Sequence, residues 1–147
     1  ITKFIDNKKT ILDLGSGGGF PGLVIAIIKP NNKVYLLESN QKKAYFLKKT
    51  IDELNIKNGT VINENITKRN SLGAYDIITA RAFAKIGKII ELTRNNLKKE
   101  TEYLLLKGTI QKIKEELKVL DTNQLTYEII KQENKKQERH IIKIKNK

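Results

Sequence analysis

A glycine-rich segment near the start of the sequence restricts the possible folds more than any other feature. Five of the nine glycines lie between Gly15 and Gly22, directly after the short apolar run Ile11–Leu14. Apolar residues at helical spacing continue the segment: Phe20, Leu23, Val24, Ile27 and Ile28. This order predicts a buried strand, a tight turn and a helix that buries one face and ends before Pro30. A turn without Cβ atoms lets the backbone approach a ligand, and the amides at the helix N-terminus face that ligand.

The rest of the sequence repeats the strand and helix alternation. The predicted strands after the first are Val34–Leu37, Thr60–Ile62, Asp76–Thr79, Tyr103–Leu106, Leu125–Ile129 and Ile142–Ile144. Helical spacing after Asn40, Lys85 and Thr109 predicts three more helices, with Leu54 and Leu97 among their buried residues. The last two strands have no helix between them, so they predict an antiparallel hairpin. We therefore predict an α/β, Rossmann-like, doubly wound, mostly parallel seven-stranded sheet in a single domain, residues 1–147.

Composition excludes several kinds of protein. The chain has no cysteine and only one histidine, so thiolate metal sites, histidine-rich metal sites and disulfides are excluded, and we expect no metal. No apolar run approaches the roughly 18 residues of a membrane span, so we expect a cytoplasmic protein that acts without a membrane. The net charge of +13 rests on 25 lysines and four arginines. This excess indicates nucleic-acid binding or, equally, a codon bias that enriches lysine on a solvated surface.

Two ligand classes fit the glycine-rich turn. Gly17–Gly22 matches the dinucleotide fingerprint G-x-G-x-x-G, which would make the protein a nicotinamide-dependent oxidoreductase. The alternative pattern Asp13-x-Gly15-x-Gly17-x-Gly19 resembles the acidic glycine loop of class I S-adenosylmethionine-dependent methyltransferases. In either case Glu38, at the end of the next strand, is placed to bind both ribose hydroxyls. A turn that binds nothing is the remaining alternative.

Further segments make the resemblance more specific. Gly15–Gly22, with Pro21 just inside the helix, resembles the small-subunit ribosomal RNA methyltransferase G family, also called glucose-inhibited division protein B. The stretches Arg81–Ala84, Leu106–Gly108 and Glu138–His140 agree with that family in order and spacing, and the first of them is the most specific. The resemblance implies methylation of N7 of one guanine of 16S rRNA near the decoding site, with S-adenosyl-L-methionine as cofactor. The expected partner is 16S rRNA or the small ribosomal subunit, bound by a monomer.

The residues are compatible with N7 chemistry. Exocyclic-amine methyltransferases typically carry an Asn/Asp-Pro-Pro-aromatic motif after the fourth strand, where this sequence has Thr79–Phe83. Methylation of C5 in pyrimidines needs a cysteine nucleophile, which the chain lacks. Guanine N7 has a free lone pair and no proton to lose, so its reaction needs positioning and no general base.

The resemblance also assigns roles to individual residues. Asp13, Gly15, Gly17 and Phe20 would surround the cofactor, although Phe20 alternatively belongs to the core of the first helix. Ile66 and Thr67 would contact adenine, with Asn65 as a possible polar partner. Arg81 would position cofactor or guanine as the catalytic residue, against the alternative of a structural salt bridge. Lys107 would contact phosphate or end its strand in solvent, and Arg139 would contact RNA. His140 is expected to be packed and hydrogen-bonded.

Other features leave alternatives open. Lysine pairs such as Lys42-Lys43 and Lys135-Lys136 have no interleaved aromatic residues, so they indicate general phosphate affinity or solubility. Family members usually carry a helical segment before the first strand, and we expect this chain to lack it. The remaining alternatives are a class I methyltransferase of another substrate and a non-catalytic remnant.

Overall fold

The computed structural model describes residues 1–133 and 137–147. In this part of the chain there are seven strands: β1 (Thr10–Leu14), β2 (Lys33–Leu37), β3 (Gly59–Ile62), β4 (Tyr75–Arg81), β5 (Leu97–Lys107), β6 (Leu125–Lys131) and β7 (His140–Asn146). The same residues form four α-helices: α1 (Gly22–Ile28), α2 (Gln41–Glu53), α3 (Ile86–Thr93) and α4 (Ile110–Lys118). Short 3₁₀ turns lie at Thr2–Phe4, Arg94–Asn96 and Thr122–Gln124.

The strands form one sheet in the order β3–β2–β1–β4–β5–β7–β6. The first five strands run parallel, and β7 lies antiparallel between β5 and β6. The predicted mostly parallel sheet with a C-terminal antiparallel hairpin is therefore confirmed. Strand order reverses between β1 and β4, and ligands of such sheets bind at the carboxyl ends of the strands beside this point.

Two apolar cores cover the two faces of the sheet. On one face, Ile11 of β1 packs with Ile25 of α1 and Leu47 of α2. On the other face, Leu12 and Leu14 of β1 pack with residues from α3 and α4. Alternating strand side chains thus enter opposite cores, which explains the apolar runs of buried parallel strands. None of the described helices is long and apolar enough to cross a membrane.

The predicted buried face of α1 is wrong except at Leu23, which is buried. The helix begins at Gly22, so Phe20 lies in the preceding loop and is exposed, and Pro21 lies just outside the helix. Ile25 and Ala26 are buried, whereas Ile27 and Ile28 are exposed. Almost every residue of Gly22–Ile28 is apolar, so the spacing alone could not determine which side faces the sheet.

The predicted ends of two other elements also differ from the structure. Leu54 follows α2 and is exposed, although Asn40 caps that helix as predicted, accepting a hydrogen bond from the backbone N–H of Lys43 (3.1 Å). Leu97 begins β5 and does not extend α3. The first half of β5 is polar and pairs only with the start of β4 at Tyr75, so its composition gave no strand pattern.

Candidate functional site

The carboxyl ends of four parallel strands bring the predicted site residues to one edge of the sheet. Leu14, which ends β1, pairs with Leu37 of β2 on one side and with Ala80 of β4 on the other. Arg81, the last residue of β4, pairs with Leu106 of β5. The loops that follow β1, β2, β4 and β5 therefore leave the sheet side by side.

The loop after β1 depends on glycine at several positions. Gly15, Gly17 and Gly19 have φ angles of +63°, +55° and +91°, in the left-handed region that favours glycine. A Cβ on Gly15 would lie 2.6 Å from Cδ2 of Phe83, whereas a Cβ on Gly18 would meet no atom within 4 Å. The loop is therefore closed by Phe83 at Gly15 and open beside Gly18.

Asp13 lies beneath this loop and is completely buried. Its Oδ2 accepts a hydrogen bond from the N–H of Gly22 (3.0 Å), at the start of α1, whereas its Oδ1 has no hydrogen-bond partner among the described residues. Burial raises the pKa of Asp13 to about 7, although the Gly22 N–H and the nearby Arg81 act in the opposite direction. A buried oxygen without a partner can accept a hydrogen bond from a bound polar ligand.

Glu38 follows β2 and faces the same loop. Its Oε2 accepts a hydrogen bond from the N–H of Gly17 and its Oε1 accepts one from the N–H of Asn40, both at 2.9 Å. Two backbone amides from different loops thus fix the carboxylate. Each oxygen can still accept a further hydrogen bond, as binding a ribose diol requires.

The predicted adenine-contacting residues lie in the loop after β3. Ile66 is half-buried against the core, and Thr67 is exposed. The backbone N–H of Thr67 donates to Oδ1 of Asn70 (2.8 Å), and the Asn70 side chain donates to the carbonyl of Asn65 (2.8 Å). Asn70 therefore orders this loop, a role that the sequence did not indicate.

Arg81 extends from the end of β4 toward the glycine loop. Its guanidinium carbon lies 5.3 Å from the centre of the Phe20 ring, within the range of a cation–π contact. Phe20 is exposed, so the structure does not support its alternative interpretation as a core residue. Arg81 is also exposed. The two residues bring a cation and an aromatic face together above the loop.

Lys107, predicted to contact phosphate or to end its strand in solvent, directs its ammonium toward two internal acceptors. Its Nζ donates to Oε2 of Glu116 (2.7 Å) and to the carbonyl of Ala84 (2.9 Å), and its side chain is only 14% exposed. An ammonium held by two internal acceptors is poorly placed to bind an RNA phosphate. The geometry supports an internal role for this ammonium.

A cavity of about 550 Å³ lies between the ends of β4 and β5 and the start of β7. Arg81, Gly108, Arg139 and His140 contribute to its wall. Arg139 is exposed, and its guanidinium donates to the carbonyl of Glu138 (3.2 Å). His140 is buried and its Nδ1 lies 2.7 Å from the carbonyl of Gly108, as expected for a packed, hydrogen-bonded histidine. The predicted basic pair Lys135-Lys136 lies outside the described residues.

The sequence interpretation missed two functions of side chains near the site. Phe83 packs on Gly15. Oε2 of Glu116, in α4, accepts hydrogen bonds from Lys107 Nζ and from the N–H of Ile86 (both 2.7 Å). The Arg-Ala-Phe-Ala stretch resembles the family motif, but the motif gives no indication of what its phenylalanine contacts. Glu116 lies on a helix with many charged residues, so nothing in the sequence distinguished it from a solvated acid.

Comparisons with known proteins agree with this geometry. The family model described as "rRNA small subunit methyltransferase G" (GidB) matches residues 1–142. A protein of that name from Brachyspira hyodysenteriae is 41% identical over 136 residues, covering 90% of this chain and 65% of the relative. Another from Coxiella burnetii is 34% identical, covering 92% of this chain and 65% of the relative. This chain thus spans just under two thirds of the length of these relatives.

Solved structures support the fold independently. A methyltransferase from Pyrococcus furiosus superposes with a TM-score of 0.79 at 18% identity, covering 97% of this chain and 77% of the other. Likeness at this identity concerns the fold alone, whereas the family model and the curated relatives extend through nearly the whole sequence. The chain belongs to the rRNA small subunit methyltransferase G family.

Proposed function

We propose that this protein transfers a methyl group from S-adenosyl-L-methionine to N7 of one guanine of 16S rRNA near the decoding site. The observation that carries the proposal is the placement of two features at one edge of the sheet. The glycine loop, held by Glu38, lies beside the arginine-lined cavity. Arg81 connects the two, because it contacts Phe20 of the loop and also lines the cavity. Such an arrangement allows a nucleoside cofactor and a nucleobase to bind next to each other.

The residues present fit S-adenosyl-L-methionine. The carboxylate of Glu38 is held by two amides and can accept both ribose hydroxyls. The unpartnered Oδ1 of Asp13 offers an acceptor beneath the loop for the polar end of the methionine moiety. Gly17 leaves the backbone open to the cofactor, whereas Gly15 is covered on its Cβ side by Phe83, and Phe20 offers an exposed apolar ring. Ile66 and Thr67, which follow β3, are our candidates for the adenine contact.

When bound, this cofactor supplies a methyl group on a positively charged sulfur. The protein has to hold the guanine lone pair in line with that methyl group, since N7 has no proton to remove. We assign this positioning to Arg81, whose exposed guanidinium stands between the loop and the cavity. Arg139, on the far wall of the cavity, is our candidate for a contact with the RNA backbone.

The names of the curated relatives support ribosomal RNA as the substrate. Four of these relatives, including the two described above, are called ribosomal RNA small subunit methyltransferase G. The net charge of +13 gives the general attraction for phosphate that a protein acting on RNA needs. A methyltransferase of another substrate, an oxidoreductase and a non-catalytic remnant are alternatives that the following experiments separate.

A methyl-transfer assay tests the proposed reaction. Small ribosomal subunits from a strain that lacks the modification are incubated with the protein and radiolabelled S-adenosyl-L-methionine, and the labelled nucleoside is identified by mass spectrometry. N7-methylguanosine in 16S rRNA is expected. Label in small molecules or protein but not in RNA would contradict the proposal. Binding without any turnover would point to a remnant.

Calorimetry with two cofactors tests the ligand class of the glycine loop. S-adenosylhomocysteine should bind, and NAD should not. The opposite result would identify an oxidoreductase that uses Gly17–Gly22 as its fingerprint.

Substitution of Arg81 tests its assigned role. Arg81→Ala should leave S-adenosylhomocysteine binding within a few-fold of wild type and lower turnover by about 100-fold, the effect of misplacing reacting groups. Arg94→Ala is the matched control, because Arg94 is an exposed arginine near the start of β5, at the opposite edge of the sheet. Equal effects of the two substitutions would argue against a role for Arg81 in the site.

A further inference from the structure

We propose that Lys107 and Glu116 are positioning residues, which hold the turn of residues 82–85 so that Phe83 and Arg81 face the site correctly. The inference rests on the proposed function, since it concerns how the same site is kept in its working geometry. It replaces the expected phosphate contact of Lys107 with an internal one.

The two side chains form a nearly enclosed ion pair at the end of β5. Lys107 Nζ lies 2.7 Å from Glu116 Oε2, and the side chains are 14% and 18% exposed. Each ion also binds the backbone of the turn or of the residue that follows it. Lys107 donates to the carbonyl of Ala84 (2.9 Å), and the same Glu116 oxygen accepts from the N–H of Ile86 (2.7 Å). The pair therefore binds the backbone at two points, the carbonyl of Ala84 before Lys85 and the N–H of Ile86 after it.

The turn needs such external support because its own sequence does not favour its shape. Ala82 has a φ of +55°, a conformation that a residue with a Cβ rarely adopts. Lys85, which precedes α3, makes no side-chain cap, so the free N–H groups of the helix have no local acceptor from that residue. Glu116, from a different helix, supplies that acceptor to Ile86.

The conformation of the turn determines the position of two site residues. Phe83 packs so closely on Gly15 that a Cβ there would lie 2.6 Å from its ring. Arg81, immediately before the turn, lies over Phe20. A shift of the turn would therefore move both the closed end of the glycine loop and the guanidinium that we assign to positioning guanine.

Glu116→Gln and Lys107→Met distinguish positioning from phosphate binding. The glutamine keeps an oxygen acceptor for Ile86 but removes the negative charge that attracts Lys107, which leaves the ammonium with neutral acceptors only. If Lys107 positions the turn, both variants should lower kcat by about tenfold or more, and the double variant should lose little beyond either single variant. Their RNA binding should keep the salt dependence of wild type. Lys107→Arg should retain more activity than Lys107→Met.

A phosphate contact predicts a different pattern. Lys107→Met would then weaken RNA binding and reduce the salt slope by about one counterion. Glu116→Gln would leave RNA binding and turnover unchanged or improved. Either result would overturn the inference. The matched controls are Lys49→Met and Glu53→Gln, which break an exposed ion pair (3.6 Å) on α2 and should change neither kcat nor the salt slope.

Two further measurements keep the test decisive. Far-ultraviolet circular dichroism identifies any variant that fails to fold. If Lys107→Met does not fold, Glu116→Gln alone tests the inference, because it keeps the acceptor for Ile86. S-adenosylhomocysteine affinity, measured by calorimetry, should fall several-fold in both variants because Phe83 shifts from Gly15. Wild-type protein that binds this ligand without methylating guanine would refute the proposed function. The positioning role would then be tested by ligand affinity alone. An equal loss of affinity in the two variants would support it, and an unequal loss or none would contradict it.

Discussion

The glycine loop after β1 and the turn after β4 meet at the site, but their conformations have different origins. Gly17 and Ala82 share a φ of +55°. In the loop, glycine adopts this conformation without steric penalty, so the hydrogen bond from Gly17 to Glu38 has no backbone strain to offset. In the turn, an alanine adopts it while Lys107 and Glu116 hold the following residues from other elements. The loop therefore owes this φ to glycine, whereas the turn owes it to its tertiary contacts.

This difference determines how each segment should respond to mutation. A segment shaped by glycine is sensitive to any added side chain that meets a fixed atom or forces an unfavourable φ. A segment shaped by distant contacts should tolerate, or even gain from, a glycine at its strained position. The predictions below test this contrast in order of decreasing effect on the free energy of unfolding.

Gly22→Ala should produce the largest loss. A Cβ on Gly22 would lie 2.5 Å from Oδ2 and 2.7 Å from Cβ of Asp13, and the latter atom is fixed by the backbone of β1. We expect a destabilisation of about 3 kcal/mol, although glycine-to-alanine changes in helices ordinarily stabilise. Urea unfolding followed by circular dichroism measures it.

Gly18→Ala is the matched control for this substitution. Its Cβ would meet no atom within 4 Å and its φ is not positive, so a change within about 0.5 kcal/mol is expected. Equal losses at Gly18 and Gly22 would show that the loop resists side chains in general, and that the contact with Asp13 is not the cause.

Asp13 should make stability depend on pH near neutrality. Burial raises its pKa in the folded state from the ordinary 3.8 to about 7. Between these values the folded protein binds a proton that the unfolded chain has released, so stability falls as the pH rises through 7. We expect this carboxyl alone to reduce the free energy of unfolding by about 1 kcal/mol between pH 6 and pH 8.

Asp13→Asn separates this effect from other titrations. The variant keeps an acceptor for the Gly22 N–H but cannot ionise, so its stability should fall less over the same range. Because every other titratable group is present in both proteins, the difference between the two pH profiles isolates Asp13. Parallel profiles would contradict a raised pKa at this position.

The same contrast explains how much of the molecule could be predicted from its sequence. Strand order along the chain, the antiparallel hairpin and the glycine loop followed from local patterns of apolar residues and glycine. The arrangement around Lys107 did not follow, because its partner Glu116 is nine residues away on a helix rich in charges. Phe20 and α1 show a further limit, since a helix that is apolar all round gives no indication of its buried face.

Gly17→Ala and Ala82→Gly form a reciprocal pair of substitutions at the same φ. A Cβ on Gly17 meets only the carbonyl of Gly15 at 3.7 Å, an ordinary contact, so the expected loss of about 1 kcal/mol comes from backbone strain alone. Ala82→Gly relieves that strain but raises the entropy of the unfolded chain, so we expect a change between zero and a gain of about 1 kcal/mol. Urea titrations of both variants provide the comparison. A clear loss in Ala82→Gly would mean that the alanine methyl group itself supports the turn.

The contact between Arg81 and Phe20 joins the two segments, and its removal should have the smallest effect on stability. Both side chains are exposed, and a cation–π contact at such sites contributes about 0.5–1 kcal/mol. A double-mutant cycle with Phe20→Leu and Arg81→Met should therefore give a coupling energy near the lower end of this range. A coupling energy of zero would mean that, of these two contacts between the loop and the turn, only the packing of Phe83 on Gly15 stabilises their relative position. A coupling well above 1 kcal/mol would instead mean that Arg81 contributes substantially to holding the glycine loop, in addition to the contacts of that loop with Glu38 and Phe83.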